Sequence, residues 1–232
     1  MMKTLGMIGG VGPESTIDYY KNIIALYRER QRDGSYPQFV INSIDLKKGI
    51  DFMNANDLAA MAEFLLKAIE KLPCAGADFG IIAANTPHIV FDQIAPKSPI
   101  PLISIVEATC AYAKARKLKR LALFGTRYTM RADFYPKVFA REGIELVVPE
   151  SKDQDYIHEK YFTELVLGNF LPETRAGLLA IVDRMKDKID IDGVILAGTE
   201  LPLLLRGESH NGVSLLDTGK VHCQAAVDEM FS

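Results

Sequence analysis

The chain has 232 residues, of which 48% are hydrophobic and 25% are charged, a composition typical of globular proteins. Its formal net charge of -3 gives no electrostatic reason to expect a nucleic acid or an anionic membrane as a partner. No apolar run reaches the roughly 18 residues of a membrane-spanning helix, and the first residues resemble a buried strand rather than a signal peptide. The three cysteines, Cys74, Cys110 and Cys223, are far apart and lack metal-ligand spacing, so we expect reduced thiols, no metal site and a cytoplasmic location.

Short apolar segments alternate with longer amphipathic ones along the chain, which indicates βαβ units and an α/β fold with parallel sheets. The predicted strands lie at about residues 4–9, 38–44, 79–84, 101–105, 120–125, 145–149, 193–197 and 214–217. The predicted helices lie at about residues 13–30, 56–72, 87–94, 105–117, 130–142, 155–168, 173–188 and 218–231.

The order of these segments repeats in the two halves of the chain. Three pairs of similar segments recur in the same order at nearly one spacing, about 112–116 residues: Leu5–Gly10 with Leu121–Thr126, Ile81–Thr86 with Val194–Thr199, and Pro101–Ser104 with Val213–Leu216. This regularity predicts a duplicated α/β unit of roughly 110 residues, although strand-like runs at loose intervals are the alternative interpretation. We predict a first domain at residues 1–104 plus 210–232 and a second at residues 105–209.

Ligands of parallel sheets bind beyond the carboxyl ends of the strands. Two such sheets that faced each other would enclose a cleft with their strand-end loops. The sequence therefore predicts a small-molecule site between the segments Ala84–Thr86 and Gly198–Glu200.

Gly9 and Gly10 follow the first predicted strand and lead to Pro13, which suits the first turn of a helix. Such a helix start is a natural anion site, but the segment is not a dinucleotide-binding fingerprint, and a plain turn is the alternative. Asn85 and Thr86 end the third strand with short hydrogen-bonding side chains. His88 lies one turn further on, where it could touch the ligand or simply support the turn.

The matching loops of the second half also carry hydroxyl groups. Thr126 and Thr129 could bind a carboxylate at a helix start, or merely cap that helix. Thr199 and Glu200 place a hydroxyl and a carboxylate at a strand end. We interpret Thr199 as a ligand contact, while the alternative for Glu200 is another helix cap.

Together these motifs resemble the cofactor-independent aspartate/glutamate racemase family. The segments that carry the resemblance run nearly end to end in the expected order: Gly9–Pro13, Asn85–His88, Gly125–Thr126, Thr129–Met130, Phe134–Tyr135 and Thr199–Pro202. The resemblance implies two Rossmann-like domains related by a pseudo-twofold axis, a cleft between them and a homodimer. It also implies a small acidic amino acid as the ligand, bound without pyridoxal phosphate, metal or other cofactor.

The family resemblance further implies two cysteine thiols, on opposite faces of the substrate Cα, that remove and deliver the α-proton. These thiols should directly precede Asn85 and Thr199, where this chain has Ala84 and Gly198. Two-base racemisation therefore requires another group, for which Glu200, His88 and Asp45 are candidates.

Three functions remain open at this point. The first is an amino-acid racemase-like enzyme with altered acid–base groups. The second is a non-catalytic protein that binds a small carboxylate. The third is a lyase or isomerase that uses Glu200 or His88 as its sole base.

Overall fold

The computed structural model describes residues 2–232, and the chain divides into two compact units. The first unit comprises the residues up to Ala108 together with Gly219–Ser232, and the second comprises Thr109–Thr218. Among residues 2–232, no helix combines the length and apolar character that crossing a membrane requires.

Each unit contains one β-sheet, and the predicted α/β fold with parallel sheets is confirmed. The strands are β1 (Leu5–Gly9), β2 (Phe39–Ser43), β3 (Phe79–Ile82), β4 (Leu102–Ile103), β5 (Arg120–Gly125), β6 (Glu145–Val147), β7 (Gly193–Ala197), β8 (Ser209–His210) and β9 (Val213–Asp217). The first sheet has the order β2-β1-β3-β4 and is parallel throughout. The second has the order β6-β5-β7-β9-β8, parallel except for the antiparallel edge strand β8. Without β8, the two sheets have the same strand order, because β6, β5, β7 and β9 take the places of β2, β1, β3 and β4.

Helices connect these strands. They are α1 (Pro13–Arg30), α2 (Leu46–Asn54), α3 (Leu58–Ile69), α4 (Lys71–Cys74), α5 (Phe91–Ile94), α6 (Ile105–Ala115), α7 (Arg127–Arg131), α8 (Phe134–Arg141), α9 (Ser151–Thr163), α10 (Pro172–Ile189), α11 (Leu201–Leu204) and α12 (Thr218–Met230). The longest ones follow the sequence pattern closely. Helix α1 begins at Pro13, whose fixed φ suits the first helical position. Its buried residues include Tyr19, Ile23 and Tyr27, which recur every four positions and form one apolar face.

The sheet of the first unit is covered on both faces. Met7 and Ile81 point to a cluster with α1 and α12 that includes Tyr19 and Val227, all of them buried. The neighbouring strand residue Ile8 points to the other cluster, with α3. Because successive side chains of a strand alternate between faces, β1 and β3 need apolar residues at nearly every position.

The core of the second unit lies between its sheet and helices α9 and α10. Phe124 and Leu196 of the sheet pack in one cluster with Ile157, Leu178 and Val182 of these helices. All five side chains are almost completely buried. This packing fixes α9 close to the carboxyl ends of β5 and β7, which matters for the site described below.

The structure differs from the sequence-based elements in several places. The segment Val213–Asp217 pairs with β7, so it belongs to the second unit, whereas the sequence-based boundary at residue 210 placed it in the first. Helix α2 was not predicted. The helix predicted at 130–142 is two helices, because Ala132 adopts an extended backbone between α7 and α8.

Candidate functional site

In the first unit, the loop after β1 is shaped by a glycine that no other residue could replace. Gly10 has a φ of +78°, and a Cβ there would lie 2.5 Å from Ser43 Oγ and closer still to the carbonyl oxygen of Ile44. The Gly10 N–H donates to Thr16 Oγ1 at 2.9 Å, so the loop is tied to the first turn of α1. The strand ends of β1 and β2 therefore lie in direct contact.

Beside this loop, β3 ends in a buried turn that carries the first predicted contact residues. Ala84 is 5% exposed and Asn85 3% exposed. The Ser15 hydroxyl of α1 donates to the Ala83 carbonyl at 3.1 Å, which fastens the turn to α1. A short 3-10 helix begins at Thr86. Because β1 and β3 are neighbours in the sheet, Gly9 and Gly10 lie at the same edge as Ala84, Asn85 and Thr86.

His88 is buried beneath this turn, and both of its ring nitrogens bond to the backbone. The Ile105 N–H donates to Nε2 at 3.2 Å, so Nδ1 carries the proton and donates to the Ala84 carbonyl at 2.9 Å. Burial, followed by the nearby His222, lowers the pKa of His88 to about 3. The imidazole is therefore neutral, and its only basic lone pair is directed at the start of α6.

His222 forms a second buried connection in the same unit. The Tyr19 hydroxyl bonds to Nδ1 at 2.9 Å, and Nε2 donates to the Ile103 carbonyl at 3.0 Å. Burial lowers the pKa of His222 to about 4. The two imidazoles thus hold residues 103–105 from both sides, because one binds the carbonyl of Ile103 and the other binds the N–H of Ile105.

Asp45, another candidate acid–base group, caps helix α2. Its Oδ1 accepts from the Lys47 N–H at 2.9 Å, the standard N-cap interaction. The Lys47 ammonium pairs in turn with Asp51 at 2.7 Å on the exposed face of the helix. Both groups therefore have structural partners within α2.

In the second unit, Thr126 and Thr129 lie at the end of β5. The Thr129 N–H donates to Thr126 Oγ1 at 3.3 Å, and the two hydroxyl oxygens are 3.2 Å apart. Both side chains are buried, and Thr126 is the N-cap of α7. The two threonines thus have the geometry of a helix cap at the start of α7. Thr126 also lies next to the end of β7, because the preceding residue, Gly125, pairs with Ala197.

The side-chain space of Gly198 is occupied by a residue that sequence reasoning missed. A Cβ at Gly198 would overlap Cε2 of Tyr161 and would lie 3.1 Å from its Cζ. The backbone of Gly198 is not in the left-handed region, so the conflict that a side chain would meet here is steric contact with the Tyr161 ring. The phenol ring of α9 therefore fills the volume in which a thiol at position 198 would have to fit.

Glu200 is the acceptor that holds Tyr161 in this place. The Tyr161 hydroxyl donates to Glu200 Oε2, and the Thr199 hydroxyl donates to the same oxygen at 3.2 Å. Glu200 is 1% exposed, Thr199 5% and Tyr161 8%. Burial, and then the negative charge of Glu200, raise the pKa of Tyr161 well above its usual value of 10.

The cysteines do not replace the two absent thiols at the strand ends. Cys74 is exposed at the end of α4, whereas Cys110 and Cys223 are buried on α6 and α12. The Cys223 thiol faces the Tyr19 carbonyl at 4.0 Å, inside the core of the first unit. Within residues 2–232, no group of three or more His, Cys, Asp or Glu side chains is arranged to hold a metal ion.

Comparisons with known proteins place this site in context. The model of the Asp/Glu/hydantoin racemase family matches residues 8–226. The broad specificity amino-acid racemase RacX of Bacillus subtilis (strain 168) is 24% identical over 204 residues, which cover 87% of each chain. An aspartate racemase homologue from Pyrococcus horikoshii OT3 is 33% identical, with a TM-score of 0.84 and full coverage of both chains. The aspartate racemase of Picrophilus torridus has the same fold at 20% identity, with a TM-score of 0.82 over 99% of this chain and 94% of its own.

Proposed function

The chain belongs to the Asp/Glu/hydantoin racemase family, and on that premise we propose that it is an amino-acid racemase-like protein that binds a small acidic amino acid. The proposed contacts are the residues at the strand ends: Gly9, Gly10, Asn85, Thr86, Thr126, Thr129, Thr199 and Glu200. We propose that it binds this ligand without pyridoxal phosphate or metal. The observation that carries the proposal is the family match over residues 8–226, which includes every one of these strand-end residues.

We propose in addition that ordinary two-base racemisation is lost. A methyl group at Ala84 cannot exchange a proton, and Tyr161 fills the side-chain space of Gly198. His88 uses both ring nitrogens for backbone contacts, and Asp45 caps a helix. Each missing acid or base lowers the rate by about 10²–10⁴-fold, so two missing groups leave little catalysis of this type.

Glu200 supports a second candidate function, one-sided proton exchange at Cα. Its carboxylate lies 3.2 Å from the hydroxyl of Thr199, a proposed ligand contact. A lyase or isomerase with Glu200 as its sole base would use the same position. The non-catalytic interpretation is favoured because Glu200 Oε2 already accepts two hydroxyl hydrogen bonds within the protein.

Binding and exchange measured on the same samples test these alternatives. We expect calorimetry to detect binding of an acidic amino acid. NMR in D₂O should show no racemisation of this ligand and no loss of its Cα proton signal. Asn85→Ala should weaken binding by about tenfold or more, because it removes hydrogen bonds to a charged ligand. Asn22→Ala, at a half-buried residue of α1 whose amide donates to Asp18, is the matched control and should leave binding unchanged.

Each other outcome of that experiment has a definite meaning. Racemisation at an ordinary enzymatic rate would overturn the loss of two-base chemistry. Exchange of the Cα proton without racemisation would establish one-sided catalysis and favour Glu200 as its base. Absence of binding with each enantiomer of aspartate and glutamate would overturn the proposed function itself.

We also propose that the protein is a homodimer and that the outer face of α1 and β2 forms its interface. Ile17 and Tyr20 lie three residues apart on α1 and are 48% and 49% exposed, and Ile41 of β2 is 38% exposed. We expect sedimentation velocity to show a dimer that Ile17→Lys converts to a monomer. Leu167→Lys, at a 67% exposed leucine of the second unit, is the control and should leave the dimer intact. A monomeric wild-type protein at micromolar concentration would contradict the proposal.

A further inference from the structure

A histidine of helix α9 is hydrogen-bonded to the backbone of the loop that follows β5. The Arg127 N–H donates to Nδ1 of His158 at 3.1 Å, so Nδ1 carries no proton and the imidazole is neutral. The ring is half-buried and meets Tyr128 and Phe162 edge to face, with centroid distances of 5.9 and 5.0 Å. His158 is thus held between α7 and α9 in a defined orientation.

This hydrogen bond fixes the peptide group that joins Thr126 to Arg127. The N–H of that peptide group donates to His158, and its carbonyl oxygen accepts from the Met130 N–H at 2.9 Å. The hydroxyl of Thr126 in turn accepts from the Thr129 N–H at 3.3 Å. The imidazole therefore holds the stretch of backbone that carries two of the proposed ligand contacts, Thr126 and Thr129.

The surroundings of His158 oppose its protonation. Arg127 and Arg131 of α7 bring positive charges to the ring, whereas Asp155, which pairs with both arginines, is the negative group. Burial, followed by the charge of Arg127, lowers the pKa of His158 below its usual value of 6.5, although Asp155 acts in the opposite direction. The phenol of Tyr128 is a further titratable group in contact with the ring. The imidazole is therefore neutral at neutral pH.

We propose that His158 is a positioning residue of the ligand site, in which the neutral imidazole holds Thr126 and Thr129 in place and the protonated imidazole releases them. This inference rests on the proposed function, since it takes these threonines to contact a small acidic amino acid. A protonated ring has a donor at Nδ1 and cannot accept from the Arg127 N–H. The ligand must then order the loop itself, which lowers its apparent affinity. Binding should therefore weaken as the solution becomes acidic.

The other histidines allow this effect to be assigned to one residue. The chain has four histidines, and burial lowers the pKa of His88 to about 3 and that of His222 to about 4. These two rings stay neutral in the folded protein at pH 5 and above. His210 lies on β8 and pairs with Val213 at the start of β9, at the opposite edge of the sheet from the loop after β5. It provides the matched control for removing an imidazole.

The first test measures ligand affinity as a function of pH. Calorimetry with aspartate and glutamate from pH 7.5 to pH 5 should show an affinity that falls below pH 6.5 by up to about tenfold per pH unit, the limit for one linked proton. His158→Asn offers an amide oxygen in place of Nδ1 without a titrating group. It should bind within about twofold of the wild type at pH 7.5 and lose less affinity at pH 5. His210→Asn should keep the wild-type profile.

A second variant separates the hydrogen bond from the packing of the ring. His158→Phe keeps an aromatic ring beside Tyr128 and Phe162 but removes the acceptor. We expect it to bind about fivefold more weakly than the wild type at pH 7.5, the effect of one typical hydrogen bond, and to lose less affinity on acidification. Circular dichroism and the melting temperature verify that each variant is folded at each pH. Equal affinities of the asparagine and phenylalanine variants would overturn the role of the acceptor.

NMR of the protein without ligand tests the same contact directly. The amide proton signal of Arg127 should shift with acidification at the same midpoint as the imidazole signals of His158, and an Arg127 signal that does not follow the ring would overturn the proposal. Parallel affinity profiles of the wild type and His158→Asn would overturn it as well, while leaving the ligand-binding function in place. Absence of binding at every pH would overturn the proposed function, and this inference with it.

Discussion

Replacing Gly198 by cysteine is expected to lower the free energy of unfolding by about 3 kcal/mol, the upper part of the usual range for overpacked sites. The new Cβ overlaps the ring of Tyr161, and the ring cannot simply rotate away because its hydroxyl is held by Glu200. The thiol that the family resemblance places at this position therefore cannot be restored by one substitution. Urea unfolding at neutral pH measures the effect.

Gly49→Ala is the matched control for this substitution. Gly49 lies in helix α2, where an added Cβ would have only Met61 Cε nearby, at 3.8 Å. Alanine at an interior helical position is more favourable than glycine by up to about 1 kcal/mol, so we expect this variant to be as stable as the wild type or more so. The contrast between the two glycines isolates steric overlap from the general effect of adding a side chain.

A double-mutant cycle ties the destabilisation to Tyr161. Tyr161→Ala alone should cost about 3–5 kcal/mol, as for other large buried aromatic residues. Combined with Gly198→Cys, it should cost at least about 1 kcal/mol less than the sum of the two single effects, because the smaller residue makes room for the thiol. Strict additivity, or a Gly198→Cys variant as stable as the wild type, would contradict the steric explanation.

The main elements of the fold were predictable because their signals are local. Helix α1 was predicted at 13–30 and spans Pro13–Arg30, since its first turn and its buried face are both encoded in consecutive residues. Helix α2 was missed because it has only nine residues and contains Gly49, which weakens the helical pattern. Strand β8 was missed because two residues carry no periodicity, and it exists only through its pairing with β9.

The site was predictable only as far as it depends on strand ends. Asn85 and Thr199 are found by counting from the strands, because the carboxyl ends of parallel strands lie at one edge of a sheet. Tyr161 was not found, since it lies 37 residues before Gly198 (198 minus 161) and reaches it only through the packing of α9 on the second sheet. The one available signal was Gly198 itself, because a glycine in place of a larger residue leaves a volume that a neighbour must fill.

The role of His88 also depended on a contact that sequence cannot supply. Its hydrogen bond to the carbonyl of Ala84, a residue only four positions earlier in the chain, is compatible with many functions. The bond from the Ile105 N–H, 17 residues further along the chain, identifies the protonated nitrogen and gives the imidazole a structural partner on each side. That pair of contacts has a measurable consequence for stability.

Acidification is expected to destabilise the protein steeply below pH 6.5 because of His88 and His222. Burial lowers the pKa of His88 to about 3 and that of His222 to about 4, from an ordinary value of 6.5. Above pH 6.5 both imidazoles are neutral in the folded and unfolded chains, so their contribution to stability is fully present. Below it, the unfolded chain gains protons that the folded chain does not, and each histidine removes about 1.4 kcal/mol per pH unit. The loss levels off near pH 4 for His222 and near pH 3 for His88.

Carboxylates also titrate in this pH range. The contribution of the two histidines is therefore measured as the difference in unfolding free energy between the wild type and a variant that lacks both imidazoles. Urea unfolding from pH 6 to pH 4 should give a dependence on pH that is about 3 kcal/mol per unit steeper for the wild type than for His88→Gln/His222→Gln. The single variants should each remove about half of this difference. In the folded wild type, the imidazole NMR signals of both residues should stay at their neutral positions down to pH 5, a measurement that needs no variant. Parallel stability curves, or imidazole signals that titrate near pH 6.5, would show that the two rings are not the buried neutral groups that connect residues 103–105 to Ala84 and α1.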